Sequence, residues 1–144
     1  MSELFYIVCH HCSAVNRIAS TRLGEKPKCG KCHQALFSAH PVVLTTSNFQ
    51  RHINRNDIPV LVDFWAPWCS PCKIMAPAFE QAAAILEPNV RLAKVNTENE
   101  QEIGDQYGIR SIPALVLFHK GREIARQAGA MSTADIVVWA QNQL

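Results

Sequence analysis

The chain has 144 residues, enough for one domain of ordinary size or for one domain with a small appendage. Because 48% of the residues are hydrophobic and 18% are charged, a packed core is expected and general disorder is excluded. A net charge of +2 does not point to nucleic acid or an anionic membrane as a partner. No secretory signal is visible, nor any apolar run of the roughly 18–20 residues that span a membrane.

The first 40 residues differ in composition from the rest. They carry four of the six cysteines, four of the six histidines and a formal charge of +3, with only scattered apolar residues. So short a segment cannot bury enough surface to fold without a cross-link or a metal. We therefore predict a small unit at 1–40 and a larger domain at 41–144. The junction falls at His40-Pro41, since a residue before proline is disfavoured in a helix.

From residue 41 onward the hydrophobic pattern alternates between strand and helix periods. In chain order the predicted elements are a strand at 42–44, a helix ending at 53, a strand at 59–64, a helix at 70–86, a strand at 90–95, a helix at 98–107, strands at 114–119 and 123–128, and a final helix after 132. Strands separated by helices mostly run parallel, and the 114–128 hairpin adds antiparallel pairs. The prediction is an α/β fold with a central mixed sheet flanked by helices.

Side chains that cap helices refine two of these boundaries. Thr46 or Ser47 is expected to cap the first helix, and Ser132 the last, with Asp135 three residues further on as an approximate capping box. Pro77 lies inside the 70–86 helix and predicts a kink there.

Cys69 and Cys72 stand between the buried strand and the long helix. Pro71 suits the first helical turn, which places Cys69 at the helix entrance, where free N–H groups and the helix dipole favour a thiolate. Residues three apart on a helix lie near enough for a disulfide after a small adjustment. The pair is expected to cycle between dithiol and disulfide, although a lone Cys-x-x-Cys is equally often half of a metal site.

The segment 62–73, Val-Asp-Phe-Trp-Ala-Pro-Trp-Cys-Ser-Pro-Cys-Lys, resembles the active-site segment of thioredoxins. The likeness spans roughly 42–144 and continues in matching order at 76–77, 92–96, 108–113, 118–121 and 129. With its N-terminal cysteine pairs, the whole chain is similar to the bacterial thioredoxin 2 type, which carries a zinc-binding extension. The resemblance implies a thioredoxin fold with a small N-terminal zinc ribbon.

The resemblance also implies catalytic roles. Cys69 matches the attacking cysteine and Cys72 the resolving one. Asp63 matches a buried aspartate behind the disulfide, whose raised pKa would let it accept the proton of Cys72, and Lys94 matches a lysine that moderates that shift.

Further positions match the surface that meets the substrate. The Ile112-Pro113 bond is expected to be cis, leaving the Ile112 backbone free to pair with an extended substrate. The expected substrate-binding residues are Trp68, Ser70, Pro71, Ile112, Pro113 and Gly129. Ser70 departs from the glycine of most thioredoxins, and it brings no positive charge that would make the protein a strong oxidant.

The remaining cysteines fit a metal site. Cys9, Cys12, Cys29 and Cys32 form two Cys-x-x-Cys pairs with 16 residues between them, the spacing of a zinc ribbon. Four thiolates close a tetrahedral Zn²⁺ site, whose binding energy would fold the segment. A disulfide framework and an iron site are the alternatives.

Nearby charged and imidazole groups receive lesser roles. Lys28 and Lys31 are candidates to offset the −2 charge of a zinc tetrathiolate. His10, His11 and His33 can each replace a thiolate, but four cysteines in register make them surplus.

The expected function is cytoplasmic protein-disulfide reduction. No Gly-x-Gly-x-x-Gly fingerprint is present, so no bound nucleotide is expected and electrons must come from a partner. The resemblance implies an NADPH-dependent thioredoxin reductase as that partner and disulfide-containing proteins as substrates. Two alternatives remain open: a zinc-ribbon binding module on a thioredoxin scaffold, and a disulfide oxidase or isomerase. The zinc is either structural or a redox switch that oxidation of its thiolates releases.

Overall fold

The computed structural model describes residues 3–144. Its elements are β1 (Leu4–Val8), β2 (Val15–Ala19), β3 (Val42–Val43), α1 (Phe49–Arg55), β4 (Val60–Trp65), α2 (Ser70–Leu86), β5 (Arg91–Asn96), α3 (Gln101–Gln106), β6 (Ala114–His119), β7 (Arg122–Ala128) and α4 (Thr133–Asn142). A short 3-10 helix follows β2 at Ser20–Arg22. None of the helices in this range has both the length and the apolar character needed to cross a membrane.

Five strands form the predicted mixed sheet, in the order β3-β5-β4-β6-β7. The strands β3, β5 and β4 run parallel, while β6 lies antiparallel to both β4 and β7. Successive residues of β4 point to opposite faces. Val62 joins a core with Phe49 of α1, whereas Leu61 joins a second core with Phe79 of α2 and Ile136 of α4. The α/β class with helices on both faces is therefore confirmed.

The N-terminal segment contains a hairpin that the hydrophobic pattern did not predict. β1 and β2 pair antiparallel with Leu4 opposite Ala19 and Val8 opposite Val15. A small core beneath the hairpin contains Ile7, Leu23 and Leu36 together with the buried cysteines. Ile58, from beyond the predicted domain junction, completes this core.

The outer edge of β1 is held by the segment that follows α1. Tyr6 donates its backbone N–H to the Asp57 carboxylate at 2.7 Å and accepts the Asp57 N–H at 2.9 Å. Val8 donates to the amide oxygen of buried Asn56 at 2.8 Å. The hairpin is thus joined to the larger domain by backbone-directed hydrogen bonds.

The structure changes one predicted helix cap and confirms the other. α1 begins at Phe49, and neither Thr46 nor Ser47 caps it. The preceding turn is closed instead by Asn48, whose side-chain oxygen accepts the backbone N–H of Thr45 at 2.7 Å. That prediction was wrong because four polar residues in a row, Thr45 to Asn48, compete for the same turn.

Ser132 caps α4 as predicted, since its hydroxyl accepts the N–H of Asp135 at 3.1 Å. The helix α2 continues through Pro77, and α3 is shorter than its predicted span.

His52 of α1 is fully buried, and within residues 3–144 neither ring nitrogen has a hydrogen-bond partner. Burial, together with the nearby cation of Arg91, lowers the pKa of His52 to about 3. In the unfolded chain His52 binds a proton below about pH 6.5, whereas in the folded chain it stays neutral down to about pH 3. Between these pH values His52 therefore lowers the free energy of unfolding as the pH falls.

The free energy of unfolding of the wild-type protein is expected to fall between pH 8 and pH 5. We predict that this fall is about 2 kcal/mol smaller in the His52→Leu variant. Denaturant unfolding at both pH values measures the change. An unaltered loss in the variant would contradict the buried neutral state of His52.

Candidate active site and metal centre

A disulfide joins Cys69 and Cys72 at the start of α2, with their Cα atoms 5.3 Å apart. Cys69 occupies the N-cap position with an extended backbone, and its Sγ accepts the N–H of Cys72 at 3.3 Å. Pro71 lies in the first turn, as expected for a residue without an N–H group. The sulfur of Cys69 therefore faces the N–H groups and the positive end of the helix dipole, both of which favour a thiolate after reduction.

The disulfide is largely enclosed in this oxidised state. Cys69 is 5% exposed and Cys72 is 2% exposed, so only a small part of Cys69 reaches solvent. The neighbouring Trp68, by contrast, is 68% exposed, and Ser70 and Pro71 are also exposed. The residues on either side of Cys69 in the chain are therefore open to solvent, while its own sulfur is nearly covered.

Asp63 lies in the middle of β4 and is 4% exposed. One of its carboxylate oxygens has no hydrogen-bond partner in the described part of the chain. Burial raises the pKa of Asp63 to about 7, and the positive charge of Lys94 opposes the rise in part. The carboxyl group can therefore take up or release a proton near neutral pH.

Lys94 stands directly opposite Asp63 in the pairing of β4 with β5. Its ammonium group lies 5.6 Å from the centre of the Trp65 ring, in cation–π geometry. The described contacts include no hydrogen bond between Lys94 and Asp63, so the lysine acts on the carboxyl group through its charge.

A cavity of about 390 Å³ connects the buried aspartate with the resolving cysteine. It is lined by Pro41, Asp63, Trp65, Cys72, Lys73, Ala76, Pro77, Phe79, Glu80 and Lys94. Because Lys73, Ala76 and Pro77 are exposed, the cavity reaches the protein surface. It offers a route by which water can carry a proton between Cys72, Asp63 and solvent.

Three of the residues predicted to meet the substrate, Ile112, Pro113 and Gly129, lie together near the disulfide. The Ile112-Pro113 peptide is cis, as expected. The carbonyl oxygen of Ile112 lies 3.8 Å from the Sγ of Cys69, and the carbonyl of Pro113 accepts the N–H of Gly129 at 2.9 Å. Gly129 has a φ of +98°, a conformation that a side chain would disfavour.

One exposed apolar side chain of α2 was not identified from the sequence. Ile74 is 75% exposed, because it points away from the helical stripe that buries Met75 and Phe79. The sequence contained one signal for this exposure, because Ile74 falls on the polar side of the predicted amphipathic helix.

The four N-terminal cysteines converge on one point. None is disulfide-bonded, and their sulfur atoms all lie within 4.8 Å of one another. Cys9 and Cys32 are separated by 3.7 Å between sulfurs, and Cys12 and Cys29 by 3.6 Å. A tetrahedral Zn²⁺ with Zn–S bonds near 2.3 Å requires sulfurs about 3.8 Å apart. The four thiols therefore fit zinc in number, type and spacing.

The two cysteine pairs have nearly the same local structure. His11 donates its N–H to Cys9 Sγ at 3.3 Å, and Lys31 donates to Cys29 Sγ at 3.4 Å. The residue after each second cysteine has a left-handed backbone, with φ of 63° at Ser13 and 67° at His33. The sharp bend therefore falls on these residues, and Gly30 does not need a positive φ.

The histidines lie outside the metal-ligating group found among residues 3–144, which contains the four cysteines alone. His10 instead bonds the carbonyl of Ala35 at 2.8 Å. Lys28 and Lys31, expected to offset the charge of the metal centre, are both exposed.

The fold and the disulfide site define a thiol-disulfide oxidoreductase with the thioredoxin fold. Residues 40–142 match the family described as Thioredoxin, and residues 8–34 match the family described as Thioredoxin 2, N-terminal, a zinc ribbon. The chain belongs to the thioredoxin family.

Known proteins agree with this assignment. Thioredoxin C-3 of Corynebacterium nephridii is 45% identical over 138 residues, which cover 96% of this chain and 94% of the relative. Thioredoxin 1 of a Nostoc strain is 43% identical over 61% of this chain and 82% of its own length. Among solved structures, a mutant thioredoxin from Halobacterium salinarum superposes with a TM-score of 0.65 at 26% identity, over 73% of this chain and 91% of that one.

We predict that Asp63→Asn stabilises the oxidised protein, because it removes a buried charge. The gain should grow as the pH rises from about 4 to 7 and level off at no more than about 4 kcal/mol above pH 7. Denaturant unfolding between pH 4 and pH 8 tests this, with the exposed Asp105→Asn as the control. A pH-independent gain would show that Asp63 is not the group that titrates.

Proposed function

We propose that this protein reduces disulfides in other proteins by dithiol–disulfide exchange, with Cys69 as nucleophile and Cys72 as resolving residue. The observation that supports this proposal is that the two cysteines of the disulfide have different surroundings. Cys69 borders the exposed surface around Trp68, whereas Cys72 borders the cavity that holds Asp63. A substrate can therefore reach one sulfur while proton transfer serves the other.

In the first step the thiolate of Cys69 attacks one sulfur of a substrate disulfide. A mixed disulfide forms, and the second substrate sulfur leaves as a thiolate. Cys72 then gives its proton to Asp63 through the cavity and attacks the Sγ of Cys69. The internal disulfide forms, the remaining substrate thiolate leaves, and the substrate has gained two electrons. The two substrate thiolates then take up protons, one from Asp63 by way of water and one from solvent, which received the proton of Cys69 when its thiolate formed.

We further propose that the substrate lies along the surface formed by Trp68, Ser70, Pro71, Ile112, Pro113 and Gly129. The nearness of the Ile112 carbonyl to the Cys69 sulfur supports this position, because an extended chain bonded there would bring its own sulfur alongside. Ile74 would extend the surface with an apolar contact.

The oxidised protein must be reduced again by a partner. We propose an NADPH-dependent thioredoxin reductase, the partner that family membership suggests, and a reducing compartment such as the cytoplasm. A zinc site of four thiolates is compatible with that setting, because free thiols persist where the environment is reducing.

We propose that residues 1–40 form a zinc ribbon that holds one Zn²⁺ through Cys9, Cys12, Cys29 and Cys32, and that residues 41–144 form the catalytic domain. The sulfur spacing and the paired N–H···S hydrogen bonds support this site. When bound, the metal cross-links two loops that share only a small core.

Exchange of each active-site cysteine should give a different defect. Cys69→Ser is expected to reduce insulin-disulfide reduction to background, because no nucleophile remains. Cys72→Ser should accumulate mixed disulfides with substrate, which non-reducing gels detect. The double variant is the control and should trap nothing. Normal turnover in Cys69→Ser would overturn the proposed mechanism.

Metal content should depend on the ribbon cysteines. Wild-type protein is expected to contain one zinc per chain by elemental analysis, and Cys29→Ser to contain little, because three thiolates leave the site open. His11→Ala removes an exposed neighbour that is not a ligand and should keep full zinc. Equal zinc in Cys29→Ser and wild type would contradict the site.

A further inference from the structure

Arg91, the first residue of β5, is a charged side chain with 0% exposure. The sequence pattern did not predict this burial, because Arg91 stands at the beginning of an apolar strand. A buried guanidinium is costly unless charged or polar groups around it satisfy its hydrogen bonds. The hydrogen-bond partners of Arg91 therefore indicate what it does.

A single guanidinium nitrogen of Arg91 bridges two distant parts of the N-terminal unit. Its Nη2 donates to the carbonyl of Val8 and to the carbonyl of Leu36, each at 2.9 Å. Val8 directly precedes the first metal-site cysteine, Cys9, and Leu36 follows the second cysteine pair. The two chain segments that carry the cysteine pairs are thus tied to one nitrogen of the larger domain.

The other terminal nitrogen fixes the guanidinium to Glu87, which caps the C-terminal end of α2. Arg91 Nη1 donates to the buried carboxylate of Glu87 at 3.0 Å, and both side chains are almost inaccessible to solvent. The second oxygen of Glu87 accepts the N–H of Ala39 at 2.9 Å. The Phe37 ring covers the guanidinium at 4.8 Å from the ring centre. The chain that leaves the ribbon is therefore held by the same cluster.

The charge of Arg91 also suits its surroundings. A zinc ion with four thiolates carries a net charge of −2, and Cys9 is fully buried. Arg91 lies close enough to Cys9 for their opposite charges to attract. Among the cations weighed for this role, Lys28 and Lys31 are exposed to water, where screening weakens their effect.

We infer that Arg91 is a positioning residue of the metal centre, which holds the two cysteine-bearing segments in register from the thioredoxin side and thereby slows the release of zinc. The inference rests on the proposed zinc site. It assigns to β5 and α2, elements of the redox domain, a part in retaining the metal.

The test is the rate at which a chromogenic chelator in excess takes zinc from the full-length protein. Arg91→Met keeps the length of the side chain but loses both carbonyl contacts and the charge, and it should release zinc at least tenfold faster than wild type. Arg91→Lys keeps the charge, but its ammonium cannot reproduce the planar fork, so an intermediate rate is expected. If Arg91→Met does not fold, Arg91→Lys alone decides the question.

Two controls separate positioning from general destabilisation. Val62→Ala weakens the central core without touching the ribbon, and Arg126→Met removes an arginine that pairs with Glu123 on the far edge strand β7. Both should release zinc at the wild-type rate. A wild-type rate in the Arg91 variants, or an equal acceleration in Val62→Ala, would overturn the inference. Wild-type protein without zinc would instead overturn the proposed metal site, and the inference with it.

Discussion

Thiol–disulfide exchange requires that the two cysteines lie close enough to form a disulfide. It also requires that a substrate sulfur can approach one of them in line with the S–S bond. The first turn of α2 meets both requirements, with Cys69 at the N-cap and Cys72 three residues further along the chain. The sheet sets where that turn lies, since β4 leads directly into it. The disulfide is almost fully enclosed, so only a small part of Cys69 is open to a reacting sulfur.

Proton transfer imposes a second requirement, which the sheet meets at some cost to stability. A carboxyl group in the middle of β4 loses hydration, and the resulting rise in its pKa is what makes it useful near neutral pH. Lys94 limits the rise without forming a hydrogen bond that would fix the carboxylate in its charged state. In the proposed mechanism the cavity beside Cys72 is the route for the proton, so the same burial that weakens the fold would serve the reaction.

The sequence predicted most of the larger domain because its signals are local. Strand and helix periods, the Ser132 cap and the spacing of all three cysteine pairs depend on residues close together in the chain. The β1–β2 hairpin was missed because its apolar residues are few and its edge is completed by Asn56 and Asp57, about 50 positions away. The burial of Arg91 was invisible for the same reason, since its carbonyl partners belong to another unit.

The contribution of Ile58 to the N-terminal core limits how cleanly the two units can be separated. A cut at residue 40 would take Ile58 away from the ribbon and leave the interior of the ribbon open to water on that side. The same cut would expose the apolar side chain of Ile58 on the larger domain. Each unit therefore shields part of the other, and a truncated form of either is expected to be less soluble than the full chain.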